Sequence, residues 1–211
     1  MLLAHGVEMT HTAGKGKRIG VGAAVVAALT ALGFALIISP PALDARALGA
    51  GCGPHATHTP SEASSKQLRK ALGCLINRQR AQRDRKRVRA NADLTRIARR
   101  HTKVMIKDKC FKHQCAGERS LRKRIESSGY LKGGGRYGYG EILGCSDTPA
   151  AMIEEWMNTP FSKKNIVDGR FRHVGVGGKQ GRPFPAGGTE CSPGSGHMTY
   201  AVIFGWRKPM N

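Results

Sequence analysis

A chain of 211 residues has room for one domain or at most two, and 35 Lys and Arg against 14 Asp and Glu give it a net charge of +21. That length excludes a long multidomain array. A surplus of positive charge speaks to solubility and to general attraction for anions, and by itself it selects neither a fold nor a partner.

The N-terminus shortens the folded part. Lys15, Lys17 and Arg18 precede an uncharged run from Ile19 to Ile38, the charged and apolar regions of an export signal. Ala45 and Ala47 form an A-x-A site, which places cleavage near Ala47 and makes 1–47 a signal peptide. An uncleaved anchor is the other reading of the same run, since about 20 apolar residues span a bilayer. Its Ala and Gly content and the A-x-A site favour cleavage, and either reading takes the chain out of the cytoplasm. Beyond residue 47 there remain 31 Lys and Arg against 12 Asp and Glu.

All six cysteines, Cys52, Cys74, Cys110, Cys115, Cys145 and Cys191, lie after the signal, and an even count in an exported chain reads as disulfides. Counting leaves the connectivity open; locality suggests Cys52 with Cys74, Cys110 with Cys115 and Cys145 with Cys191. A zinc site is the competing reading, but there is no C-x-x-C pair.

Residues 48–58 read as a flexible Gly- and Ala-rich linker, with His55 and His58 solvated, and 59–211 as the folded domain. Thr59, Pro60 and Glu62 make a capping box that predicts a helix start, after which Leu68, Leu72, Leu75 and Ile76 share one helical face. The basic run "RAQRDRKRVRA" ends this helix. A second opens at Asn91 with Leu94, Ile97, His101, Val104 and Met105 inward, so His101 is expected as a hydrogen-bonded core histidine rather than a ligand. Leu121 and Ile125 mark a short helix that Gly129 can end, and Thr148-Pro149 starts another with Met152, Ile153 and Trp156 as its core face. "YGEIL", "RHVGVGG" and "HMTYAVIFGWR" read as strands, with a Gly- and Pro-rich loop between the last two. Helices first and strands late predict one α+β domain on a mainly antiparallel sheet.

Separated pieces of this sequence resemble one family. "LINRQRA" on the first helix, His113 in "FKHQ", "YGEI" at 139–142, "EEWMNTPFSKKNIVDGRFRHVGVG" at 154–177 and the terminal "GHMTYAVIFGW" are similar, in order and spacing, to the bacterial branch of the CAP superfamily. That superfamily holds the cysteine-rich secretory, antigen 5 and pathogenesis-related proteins. The resemblance implies a three-layer α-β-α sandwich with a cleft lined by two histidines and two acids. Carried over, His113 matches the first histidine, Glu141 the acid of the "GEN" motif and His197 the second histidine. The second acid falls on Thr159, the alternative bacterial histidine on Ser162, and Ile142 replaces the motif's asparagine.

Two functions follow as expectations. One is a secreted, non-enzymatic binding module whose basic helices face anionic cell-surface polymer or lipid, and whose cleft takes a small or lipid-like ligand. The alternative is an extracellular hydrolase with zinc, the one candidate cofactor, held by His113 and His197 beside Glu141. No G-x-S-x-G elbow is present and the cysteines suit bridges, so the enzymatic reading is the weaker. Nucleic acid ranks last as a partner, because from Lys66 to Lys109 there is no Phe, Tyr or Trp on which bases could stack.

Overall fold

The computed structural model describes residues 51–184, 191 and 197–208. The signal segment 1–47, the start of the expected linker and most of the loop between the last two strands lie outside the described residues.

The residues before the first helix are part of the fold rather than a free linker. Pro54–Ala56 forms a 3-10 turn with Ala56 fully buried, and Cys52–Cys74 ties it to the helix behind it. The Thr59–Glu62 pairing forms as expected, with the Thr59 N–H donating to Glu62 at 2.7 Å, but it closes only a turn. Helix α1 (Ser65–Ala81) starts one turn later, where Ser64 and Gln67 make a second, complete capping box. Leu68, Leu72, Leu75 and Ile76 are then all buried.

A two-residue strand β1 (Arg89–Ala90) precedes α2 (Ala92–Lys107), which is capped by Asn91. The short α3 (Leu121–Glu126) ends at Ser127 and not at Gly129, which instead opens a 3-10 turn, Gly129–Leu131. Strand β2 (Arg136–Ser146) leads to α4 (Pro149–Asn158), capped by Thr148. A second Thr-Pro step then starts α5 (Pro160–Val167), followed by β3 (His173–Gln180) and β4 (Met198–Lys208).

The sheet order is β1-β3-β4-β2. It is mixed rather than mainly antiparallel: β4 pairs antiparallel with β3 and β2, while β1 runs parallel to β3. The reason is the connection. A parallel pair needs a long crossover, and α2 to α5 lie between β1 and β3 in the chain.

Strand β4 is central and carries a core on each face. Tyr200, Val202 and Phe204 pack with the buried residues of α1, α4 and α5, whereas Ala201 and Ile203 pack with Leu94, Ile97, Ala98 and Met105 of α2 and with Ile125 and Tyr130. Three layers result, as the family resemblance implied. Two glycines make the α2 side possible. A Cβ at Gly175 would lie 2.2 Å from the Leu94 carbonyl carbon, and one at Gly177 would lie 2.3 Å from that of Ala98, so β3 and α2 meet backbone to backbone. The three disulfides follow the local pairing: Cys52–Cys74, Cys110–Cys115 and Cys145–Cys191.

Candidate functional site

Glu141 lies on edge strand β2, on the face that looks toward α2, with its side chain 1 % exposed. The Nδ1 of His113 donates to its carboxylate at 2.8 Å. His113 comes from the loop clipped by Cys110–Cys115, which holds its backbone in place, and its side chain remains 56 % exposed. With Nδ1 engaged, the other ring nitrogen is left for solvent or a ligand.

Behind this pair stand groups that the residue pattern did not single out together. Arg124 of α3 is buried between two carboxylates, 3.5 Å from Glu141 and 3.7 Å from Glu118, and its Nη2 donates to the His113 carbonyl. Glu118 in turn accepts at 2.8 Å from Nδ1 of His101, which is fully buried on α2. His101 is thus the hydrogen-bonded core histidine expected from its helical face, but its partner is an acid of the site. Arg124 was also legible in principle: it falls between the inward positions Leu121 and Ile125, where a side chain has to be buried.

Electrostatically, the cluster runs His101, Glu118, Arg124, Glu141, His113. Burial pushes the His101 imidazole down to about 4 and raises the Glu118 carboxyl. His101 is therefore neutral at pH 7, while an unfolded histidine titrates near its ordinary value. The unfolded chain takes up a proton as the pH falls from the ordinary value toward about 4, and the folded chain does not, so stability is lost on acidification through that window. Between pH 7 and about pH 5 the His101 contribution amounts to about 2 kcal/mol. Denaturant unfolding at the two pH values measures it, and the acid slope flattens by that amount in a His101→Gln variant.

The other residues implied by the resemblance are elsewhere. Thr159 joins α4 to α5, is exposed, and donates its hydroxyl to the Glu155 carbonyl. Ser162 is buried on α5 and makes no hydrogen bond to His113 or Glu141; its neighbour Phe161, 60 % exposed, has its ring 6.4 Å from that of His113. His197 is not brought to the site. Glu141 pairs with Ile203 and Ser146 with Met198, so His197 stands six residues back along β4, about 20 Å from Glu141 at the rise of a strand. There it faces Asp147 at 3.2 Å. It also lies close to Cys145 and Cys191, but both sulfurs are in a disulfide and cannot act as thiolate ligands.

Zinc therefore does not fit the expected set. His113 sits beside Glu141 at the middle of β2 while His197 lies past that strand's C-terminal end, and the carboxylate beside His113 already faces a guanidinium. One exposed imidazole backed by a buried carboxylate can orient a ligand or exchange a proton. Among the described residues no hydroxyl or thiol is hydrogen-bonded to His113 as a nucleophile.

With this geometry in hand, the family model of the cysteine-rich secretory protein family, CAP, matches residues 75–185. The chain belongs to the CAP family. Among solved structures, this CAP domain is similar to an outer surface protein from Borrelia burgdorferi, at 17% identity, covering 69% of this chain and 97% of that one with a TM-score of 0.54. It is also similar to an extracellular protein containing an SCP domain from Bacillus anthracis, at 19% identity and a TM-score of 0.50, covering 69% of this chain and 44% of that one. Likenesses at these identities establish the fold. No curated protein matches the chain. Within the CAP fold, the "LINRQRA" piece has a structural meaning. Asn77 clamps Val88 through both its backbone groups, and Arg80 binds the carbonyls of Lys86, before β1, and of Ile166, in α5.

Proposed function

We propose that this CAP-family chain works outside the cytoplasm as a non-enzymatic binding module that engages anionic polymer or lipid at the cell surface. The observation that carries the reading is the internal pairing of the site. Arg124 stands as counter-charge to the carboxylates of Glu118 and Glu141 at 3.7 and 3.5 Å, and beside it the cleft presents one exposed imidazole and no assembled catalytic set among the described residues. The surplus charge is displayed outward instead. Arg96, Arg99, Arg100 and Lys103 of α2 line a surface groove that no acidic residue lines. His113 beside the exposed ring of Phe161 supports the second half of the reading, a small or lipid-like ligand at the cleft mouth. The N-terminal run and the disulfides support export, and the two structural relatives are named as outer-surface and extracellular proteins.

Flotation with anionic vesicles and pull-down with cell-wall preparations test this reading across a salt series. Binding is expected at low ionic strength and lost as the Debye length shrinks from about 30 Å at 0.01 M to about 8 Å at physiological salt and below. Metal analysis of the purified, oxidised protein is expected to find zinc well below one per chain. Stoichiometric zinc that disappears in His113→Ala, together with turnover abolished by Glu141→Gln, would reverse the conclusion in favour of a metal-dependent hydrolase.

A further inference from the structure

A second basic groove opens at the end of the sheet where β1 begins and β4 finishes. Lys86, Arg87 and Arg89 enter it from the connection into β1, Arg172 and His173 from the start of β3, and Arg207 from the end of β4. Its volume is about 930 Å3, and none of the residues lining it is acidic. Five cations drawn from three distant segments repel one another, so a fold that gathers them must either let them splay into solvent or hold them in place. Two are held. Arg172 donates through Nη1 to the carbonyls of Gly169, Arg170 and Phe171. Arg207 donates to the Tyr130 carbonyl and stacks its guanidinium 5.4 Å from the Tyr130 ring centroid.

The groove also has a defined half-buried histidine. The Tyr130 hydroxyl and His173 Nδ1 lie 2.9 Å apart, and Gly205 makes room for the pair, since a Cβ there would stand 2.5 Å from the Tyr130 oxygen. Register places Arg89 and His173 side by side on adjacent strands.

We propose that this groove is a binding site for a phosphate group, with Arg89, Arg172 and Arg207 taking its oxygens, Lys86 and Arg87 at the rim, and His173 at the floor. Guanidinium forks match planar and tetrahedral oxyanions through paired N–H donors, and several forks around one groove suit a group with more than one charge and more than two oxygens better than a single carboxylate. The site deepens the surface-binding reading above and rests on it only for the source of the phosphate, a lipid headgroup or a soluble phosphoester. His173 reports occupancy, because burial and the charges of Arg207 and Arg89 hold its imidazole below the ordinary value, and a bound anion offsets those charges.

The experiment titrates the oxidised chain with inorganic phosphate while following the His173 ring resonances by NMR, assigned with a His173→Gln variant. A saturable response in which the His173 pKa rises is expected. Arg87→Gln with Arg89→Gln, neither of which removes a bond that holds the fold, weakens phosphate binding about tenfold, as expected for lost charge-assisted hydrogen bonds. Lys163→Gln with Lys164→Gln, exposed on α5 and lining neither basic groove, changes it less than about twofold, as befits screened charges outside the site. Phosphatidylglycerol vesicles form the other arm. Vesicle binding that soluble phosphate displaces, and that the Arg87/Arg89 pair weakens, supports a headgroup. Phosphate binding without vesicle binding supports a soluble phosphoester and removes the membrane part of the surface reading. A silent His173, or equal losses from both variant pairs, overturns the groove as a site while salt-dependent surface attraction stands.

Discussion

Replacing Arg124 by Met is expected to lower the stability of the oxidised chain by about 3–5 kcal/mol at pH 7, the usual effect of removing one partner from a buried ionic cluster. The side chain is 8 % exposed and stands between Glu118 and Glu141, which are 9 % and 1 % exposed. Met fills much of the same volume, so the loss reflects charge and not a cavity. Two carboxylates would then share a dry site with no cation between them, and the Glu118 carboxyl, already raised by burial, would ionise less readily still without the Arg124 charge. The sign of the pH effect follows. A carboxyl whose folded pKa is raised takes up its proton earlier in the native state, so the variant regains stability as the pH is lowered toward that raised value. Denaturant unfolding at pH 7 and about pH 5 reads both parts. Arg124→Lys should fall between, since an ammonium keeps the charge but loses the forked contact that reaches the His113 carbonyl. A Met variant less than about 1 kcal/mol below the parent, with no recovery in acid, would mean that the acids are already protonated and that the cluster is not ionic.

Arg80→Met is the second large effect, again about 3–5 kcal/mol, and here the cause is backbone groups left without donors. Arg80 is fully buried, and the partners it donates to are carbonyls. Its Nε donates to the Lys86 carbonyl at 2.9 Å, its Nη1 to those of Ile166 and Asp168 at 2.7 and 3.0 Å, and its Nη2 to that of Phe171 at 3.4 Å. Burial lowers the guanidinium's pKa from its ordinary value, but an arginine stays charged where a lysine would release its proton. Three of these four carbonyls end α5 and lead into β3, so hydrogen exchange in the variant should quicken at residues 166–174 ahead of α2. Arg80→Lys separates the two explanations. If it restores parental stability, a single charge suffices and the planar fork is irrelevant. If it stays near the Met variant, the geometry of several donors is what the site needs.

These two arginines show how far the residue pattern reaches. Helix faces were readable because burial follows a 3.6-residue period: Leu68, Leu72, Leu75 and Ile76 are inside, as are Leu94, Ile97, His101 and Met105. The Thr-Pro step at Thr148 was readable because capping is a contact within one turn, and the repeat of that step at Thr159 carried the same signal for α5. The α1 start was displaced because two capping boxes follow each other, and only the second is continued by residues that bury a face. Residues 51–58 carried no periodicity, yet they pack, because a disulfide and one buried alanine hold them where no helical pattern would announce it. Buried arginines follow neither rule. In a chain with 35 Lys and Arg, nothing local distinguishes Arg80 and Arg124 from their solvated neighbours except a position between apolar residues.

The sequence by itself determined the α+β class and the CAP resemblance and suggested the disulfide pairing, because caps, periodicity and the short Cys110–Cys115 loop are properties of neighbouring residues, whereas Cys145 and Cys191 stand 46 residues apart. The family pattern named Glu141 and His113 together, and in the fold the two share a hydrogen bond. What only the tertiary structure decided was the company they keep. Whether His197 meets Glu141 depends on the register of β2 against β4, set by a whole ladder of backbone pairs, and that register carries His197 to Asp147 instead. The positions vacated by the family's other acid and histidine were not refilled from α4 and α5. Glu118, Arg124 and His101 come from behind the strand, and contacts between side chains distant in the chain are settled by packing, which no spacing in the sequence records.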